Sequence, residues 1–289
     1  MSIKIIQTKE NPKVSVIIPS RDGDRRGNVA RLIKDLNSQD FDDFEIIIAV
    51  GESPNGHARN VGVTKAQGEY FLFIDDDAIL GSSDMISKTL KAFEDEKDKN
   101  PGMIGCATLI PIESNWFQRW VAREEERAEF PPVKIFVETD MAHHLFCMIP
   151  SKVWFEIGQE SDVLETGTDM DLRNKLKKYG YLIGIAAEVF AYHPMPENFI
   201  KFTKQNFWYG VGMPIMRHFW PEENIITSSL GACKWAVKSI FTFPIRVFKI
   251  GRNSKIEFKP LRAYAKVVRD IGYSRGYFKY KNLIKGLEK

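Results

Sequence analysis

Apolar and polar positions alternate in blocks along the first two thirds of the chain. Val14-Ser15-Val16-Ile17-Ile18 is a β-branched apolar run closed by Pro19 and reads as a buried strand. From Asn28 to Leu36, Val29, Leu32, Ile33 and Leu36 fall at helical spacing, with Asn28 placed as a cap. Phe44 to Val50 predicts a second buried strand, His57 to Ala66 a helix, and Tyr70 to Ile74 a third strand that runs straight into Asp75-Asp76-Asp77. Ser83 to Asp95 predicts a helix, Met103 to Ile110 and His144 to Ile149 strands, and Ser151 to Ile157 a helix. Asp169 to Tyr179 follows as a helix ended by Gly180, then Tyr181 to Tyr192 as a strand. This alternation predicts an α/β fold with a mostly parallel central sheet, whose ligands sit at the carboxyl ends of the strands. Pro19 to Asp22, Gly51-Glu52 and Asp75 to Asp77 all fall at such ends. After Pro194 the texture turns aromatic, basic and helical, which places a boundary near residue 198 and divides the chain into 1–198 and 199–289.

Composition sharpens this picture in two ways. With 44% hydrophobic and 27% charged residues, the chain is globular rather than disordered or fibrous. Cys106, Cys147 and Cys233 are odd in number and widely spaced, so neither a disulfide framework nor a thiolate metal site is expected, and a reducing compartment fits. Neither a signal peptide nor a run of roughly 18 apolar residues is visible, so no membrane-spanning helix is expected. The net charge of +3 hides an asymmetry: residues 201–289 hold 18 basic and 5 acidic residues, whereas the first 200 hold 23 and 33. A basic tail of this kind meets something anionic.

Three groups of residues could carry chemistry. Strand pleating continued through Asp75, Asp76 and Asp77 sends Asp75 and Asp77 to one side, where two carboxylates suit a hard divalent cation; the bland alternative is an acidic turn ahead of a helix. Asp169 and Asp171 open a predicted helix, where negative charge suits the macrodipole, or where one carboxylate faces a pocket and accepts a proton. His193, at a strand end in Ala191-Tyr192-His193-Pro194, is either structural or a metal or phosphate contact. The adjacent His143 and His144 are expected to point apart, in packing or supporting roles rather than chelating one ion.

The order of these pieces adds to their meaning. Pro19-Ser20-Arg21-Asp22, Gly51-Glu52-Ser53, Ala58-Arg59-Asn60-Val61-Gly62, Ala66-Gln67-Gly68 leading to Asp75-Asp76-Asp77, and Gly167-Thr168-Asp169-Met170-Asp171-Leu172 follow one another in the chain. Over roughly residues 13 to 215 this resembles the family 2 glycosyltransferases, inverting enzymes with a GT-A fold. The resemblance implies that Pro19, Ser20 and Asp22 form the first nucleotide-contacting loop. It implies that Glu52 meets the base, that Arg59 lies near the nucleotide or its diphosphate, and that Asp75 and Asp76 belong to the nucleotide-sugar site. Mg²⁺ or Mn²⁺ would be held at Asp77, with Asp75 and His193 as further candidates. Asp169 matches the catalytic base. Thr168 stands where the family most often has Glu, and Glu52 where it more often has Asp. Gln205-Asn206-Phe207-Trp208 lacks the arginine of the processive members' motif, which argues against a processive polymerase.

The tail suggests where such an enzyme works. Ile225 to Ile250 is rich in Ile, Trp and Phe and is interrupted by Lys234, Lys238, Arg246 and Lys249, with Pro244 expected to break or kink a helix. Lys234 and Lys238 share a helical face. Interleaved aromatics and lysines fit an anionic membrane surface, the alternative being that these residues pack back on the sheet. The expectation is therefore a peripheral enzyme on the cytoplasmic face of the cell membrane, passing a sugar from a nucleotide-diphosphate donor to a hydroxyl acceptor on a glycan or lipid-linked carrier. Nucleic acid is not an expected partner. Two other classes stay open: a sugar-nucleotide nucleotidyltransferase, and a non-catalytic sugar- or lipid-binding module.

Overall fold

The computed structural model describes residues 2–125, 132–220, 229–250 and 256–287. In chain order the elements begin β1 (Ser2–Gln7), β2 (Val14–Ser20), α1 (Asn28–Asn37), β3 (Phe44–Val50), α2 (Asn55–Val63), β4 (Tyr70–Ile74), β5 (Ile79–Leu80) and α3 (Met85–Asp95). They continue with β6 (Pro101–Leu109), α4 (Trp116–Glu124), β7 (Val137–Glu138), β8 (Phe146–Pro150), α5 (Ser151–Glu156), α6 (Thr168–Lys178) and β9 (Leu182–Tyr192). The tail adds α7 (Phe199–Phe219), α8 (Ser229–Arg246), β10 (Phe248–Ile250), β11 (Ile256–Phe258) and α9 (Pro260–Leu287).

The described elements fall into two compact units. The first holds β1 to β9 with α1, α2, α3, α5 and α6, and ends at His193. The second begins at Pro194 and also takes in α4 from the middle of the chain. The second unit is thus not one contiguous stretch of tail, and residues 112–125 belong with it.

The first unit is an α/β layer around a sheet ordered β1-β3-β2-β4-β8-β6-β9-β5, with β7 paired to β9. The sheet is mixed rather than mostly parallel. β3, β2 and β4 run parallel, as do β6 and β9, while β8 lies antiparallel between β4 and β6. Two-residue alternation along the strands fills both faces. Val16, Ile18, Leu72 and Ile74 pack with Leu32 and Leu36 on one side; Ile17, Phe71 and Phe73 pack with Trp154, Leu172 and Leu176 on the other. Every residue of β2 is buried, which explains its mostly apolar run; the buried Ser15 donates to Glu45. Pro19 does not close this strand: it pairs opposite Ala49 and the strand continues to Ser20. Nor is Asn28 the cap of α1. Gly27, at φ 81°, starts that helix, and Asn28 Oδ1 instead accepts from Arg31 Nη1 at 2.9 Å. Glycine suits the left-handed cap position because it carries no Cβ.

The second unit is helical, with a β10–β11 hairpin. α7 and α9 approach until a Cβ on Gly210 would stand 2.1 Å from the Arg269 carbonyl oxygen, and one on Gly272 2.2 Å from that of Phe207. Glu124 of α4 accepts the Arg262 backbone N–H at 2.9 Å, satisfying a free donor in the first turn of α9. Pro244 does not break α8: the helix runs two residues past it, although the proline cannot donate to the Ile240 carbonyl. Ile225 and Ile226 lie outside the described residues. No described helix is long and apolar enough to cross a membrane.

Candidate active site

Three segments of the first unit meet at the carboxyl end of β4: the helix start at α2, the turn after β4, and the first turn of α6. The Ala58-Arg59-Asn60-Val61-Gly62 motif places them. Arg59 projects from α2 and is buried, its side chain only 3% exposed. Its Nη2 donates to Asp75 Oδ1 at 3.0 Å and its Nη1 to Glu160 Oε2 at 3.2 Å. Next to it, Asn60 clasps the backbone of Glu160, donating to its carbonyl at 2.9 Å and accepting from its N–H at 3.3 Å. Gly62 lets the helix lie against β2, since a Cβ there would come within 2.6 Å of Ile17 Cγ2.

The acidic triplet divides differently from the pleating expectation. β4 ends at Ile74, and the Ala78 N–H bonds back to the Asp75 carbonyl at 3.0 Å, closing a turn. Side-chain alternation therefore stops at the strand end. Asp75 faces Arg59, whereas Asp76 and Asp77 share Arg25, whose Nη1 and Nη2 donate to Asp76 Oδ1 and Asp77 Oδ2, each at 2.8 Å. Burial raises the Asp76 carboxyl above its ordinary pKa, against the pull of Ser20 and Arg25. Arg25 comes from the loop after β2, which is wound by left-handed residues at Gly23, Arg25, Arg26 and Gly27. Asp22 shapes that loop by accepting the N–H groups of Arg25 at 2.7 Å and Asp24 at 3.0 Å, and those bonds lower its pKa. Ser20 Oγ accepts from the Gly23 N–H at 3.0 Å. Pro19 and Ser20 stay within β2, and Glu52 sits half-buried, 3.5 Å from His57 Nε2.

Asp169 and Asp171 part company as well. Both lie in the first turn of α6, but Asp171 is buried and paired with Lys175 at 2.9 Å, a structural role. Asp169 keeps 40% of its side chain exposed and touches His144. Its Oδ1 accepts the His144 backbone N–H at 3.0 Å and also contacts His144 Nδ1. The other imidazole nitrogen, Nε2, contacts Glu160 Oε1. His143 instead meets Thr108 Oγ1 at 2.7 Å, so the two histidines do point apart. Burial and Arg59 push the His144 pKa down, but Glu160 and Asp169 outweigh them and lift it to about 9. Burial works to raise the Asp169 carboxyl, yet His144, His143 and Arg59 hold it well below the usual carboxylate range. The Glu160 carboxyl is also lowered, by His144 and Arg59 against its burial. Asp169 is thus an ionised, partly open carboxylate backed by a cation. Reading the sequence missed Glu160, which carries no motif around it; its signal is three-dimensional.

His193 Nε2 lies 3.8 Å from Asp77 Oδ1. Among the described residues no three His, Cys, Asp or Glu side chains gather as a metal cage. Mg²⁺, however, is commonly held by one or two carboxylates, with substrate phosphates and water completing the shell. Asp77 is such a carboxylate; its Oδ2 accepts from Arg25 in this structure, and His193 lies beside its Oδ1.

Comparison with known proteins bears on this geometry. Residues 15–129 match the Glycosyltransferase like family. Over that stretch, which is less than half of the chain, the sequence is similar to glycosyltransferases. The matched stretch contains Arg25, Glu52, Arg59 and Asp75 to Asp77 and stops before His144, Glu160 and Asp169. No curated protein sequence matches the chain. Among solved structures, the mannosyltransferase PcManGT from Pyrobaculum calidifontis, in complex with GDP-Man and Mn²⁺, is 14% identical with a TM-score of 0.49, over 94% of this chain and 76% of that one. S. aureus TarS 1-349 is 13% identical with a TM-score of 0.45, over 93% and 91%. The same protein in complex with UDP is 12% identical, also at 0.45.

Proposed function

We propose that the chain is a metal-dependent, inverting glycosyltransferase. It moves a sugar from a nucleotide-diphosphate donor to a hydroxyl acceptor, on a glycan or a lipid-linked carrier. The observation that carries the reading is the open, ionised Asp169 carboxylate, linked through buried side chains to Asp75 at the end of β4.

Asp169 accepts the proton of the acceptor hydroxyl as that oxygen attacks the anomeric carbon from the face opposite the leaving diphosphate, which inverts the configuration. Asp75 and Arg59 bind the nucleoside side of the donor, with Pro19, Ser20, Asp22 and Asp76 shaping the loop beneath it and Glu52 at the base. Asp77 and His193 would hold Mg²⁺ or Mn²⁺. Such a cation supplies charge neutralisation at the leaving diphosphate.

A thermal-shift panel of UDP-, GDP-, CDP- and dTDP-sugars with Mn²⁺, Mg²⁺ or EDTA tests the reading. One nucleotide should stabilise the chain only with metal, by about 2.7 kcal/mol at a hundred times its dissociation constant. Stabilisation that EDTA leaves intact would overturn the metal part. No response to any donor in the panel would overturn the donor part.

The reading extends to a membrane surface on the cytoplasmic face of the cell membrane. Support comes from α8, where Leu230, Phe241 and Ile245 are exposed, at 65%, 79% and 75%, on the helix that carries Lys234 and Lys238. Co-sedimentation with vesicles containing phosphatidylserine, but not with neutral ones, is the expected result; equal binding to neither would remove this extension.

A further inference from the structure

Five side chains of alternating sign run through the first unit in one connected line: Asp169, His144, Glu160, Arg59 and Asp75. The middle three are 2%, 0% and 3% exposed, and only the two ends reach the open side. Buried charges of this density are costly unless each is matched. With His144 as an imidazolium, three carboxylates face two cations. With a neutral imidazole, Glu160 and Asp169 would each face one nitrogen of a ring that carries a single proton, and one contact would set two acceptors against each other. The contacts at both ring nitrogens therefore call for both to be protonated.

The line also fixes the aim of Asp169. Its Oδ1 is engaged twice, by the His144 backbone N–H and by the imidazole, and no contact among the described residues engages its other oxygen. A carboxylate held at one oxygen presents the second in a set direction. The imidazole in turn cannot swing, because Glu160 holds its far nitrogen and Asn60 clasps the Glu160 backbone. The titratable groups beside this line are Cys147 on the neighbouring strand and His143 next to His144.

We infer that His144 is the positioning residue of the base: clamped by Glu160 from behind, it aims the free oxygen of Asp169 at the acceptor hydroxyl. This rests on the reading of Asp169 as the base. Glu160 brings a carboxylate to the same neighbourhood from a different segment, acting through His144.

The test uses the full chain labelled with ¹⁵N-histidine, alongside turnover scored as release of the nucleoside diphosphate from UDP-, GDP-, CDP- and dTDP-sugars with Mn²⁺. The NMR spectrum at neutral pH should show one histidine with both ring nitrogens protonated, and Asp169→Asn and Glu160→Gln should each shift that signal. His144→Gln, whose amide reaches towards Glu160, should lose kcat by roughly 10²-fold with donor KM within threefold. His144→Asn, whose amide stands near Nδ1 and can still donate to Asp169, should recover at least tenfold of that loss. A neutral imidazole signal for His144, or His144→Gln turnover within threefold of the parent, would overturn the inference while leaving Asp169 as the base. Asp169→Asn turning over like the parent would overturn both. Asp169→Asn and Glu160→Gln assign the signal independently, so one variant that fails to fold does not block the decision.

Discussion

The two units use charge and apolar surface in opposite ways. In the first, apolar residues fill both faces of the sheet, and the charged residues that matter are drawn inward: Arg59, His144 and Glu160 are buried and matched with one another. In the second, large apolar side chains face outward on α8 and on the hairpin, with Phe241 at 79% and Ile256 at 73% exposure, and much of the positive charge accompanies them. The first arrangement stabilises a site of fixed geometry, because an inward charge tolerates only one partner position. The second suits a broad surface, where many weak contacts add without fixed geometry. The first arrangement accords with the proposed chemistry and the second with the proposed attachment.

The comparison can be broken or sharpened by experiment. The largest effect should come from Asp169→Asn, which should cut turnover by roughly 10²–10⁴-fold while the melting temperature stays near that of the parent. Arg59→Ala should follow: it strands Glu160 and Asp75 without their cation and should cost about 3–5 kcal/mol in urea unfolding, since a broken buried pair leaves an uncompensated charge. Gly62→Ala comes next, at about 1–3 kcal/mol, because its methyl would press into Ile17. A pH series should show stability falling on the alkaline side. His144 binds its proton more tightly folded than unfolded, so its contribution is complete below about pH 6.5 and is lost as pH rises through about 9. Smallest in stability, within about 0.5 kcal/mol, should be Phe241→Ser combined with Ile245→Ser on the exposed face of α8. The same pair should nevertheless abolish sedimentation with phosphatidylserine vesicles. A large loss of stability there would mean that α8 is a packing helix, and the contrast between the units would fail.

Much of the first unit was legible in the chain. β2, β3 and β4 are mostly apolar because they are buried on both faces, and α1 and α3 show helical spacing because each buries a single stripe. The strand ends, and with them the acidic turn and its neighbours, followed from those runs. The antiparallel direction of β8 did not. A buried strand carries the same apolar run whichever way it points, and only its partners reveal the direction. The short strands β5 and β7 and the hairpin β10–β11 were equally hidden, being two or three residues long and set by pairing rather than pattern.

The candidate site shows the same division. The sequence by itself identified carboxylates at positions 75 to 77 and 169, because they stand directly after a buried strand or at a helix start and local order is what a sequence records. It also identified the basic, aromatic character of the tail. It did not reveal that Asp76 and Asp77 share Arg25 while Asp75 faces Arg59, that Asp171 pairs with a lysine while Asp169 stays open, or that Glu160 belongs to the site at all. Those outcomes were left to the tertiary structure. A carboxylate's role is decided by the charge opposite it, and apart from the Asp171–Lys175 pair within one helix the opposing charges here come from segments 16 to 101 residues away in the chain. Only the folded sheet brings them within bonding distance.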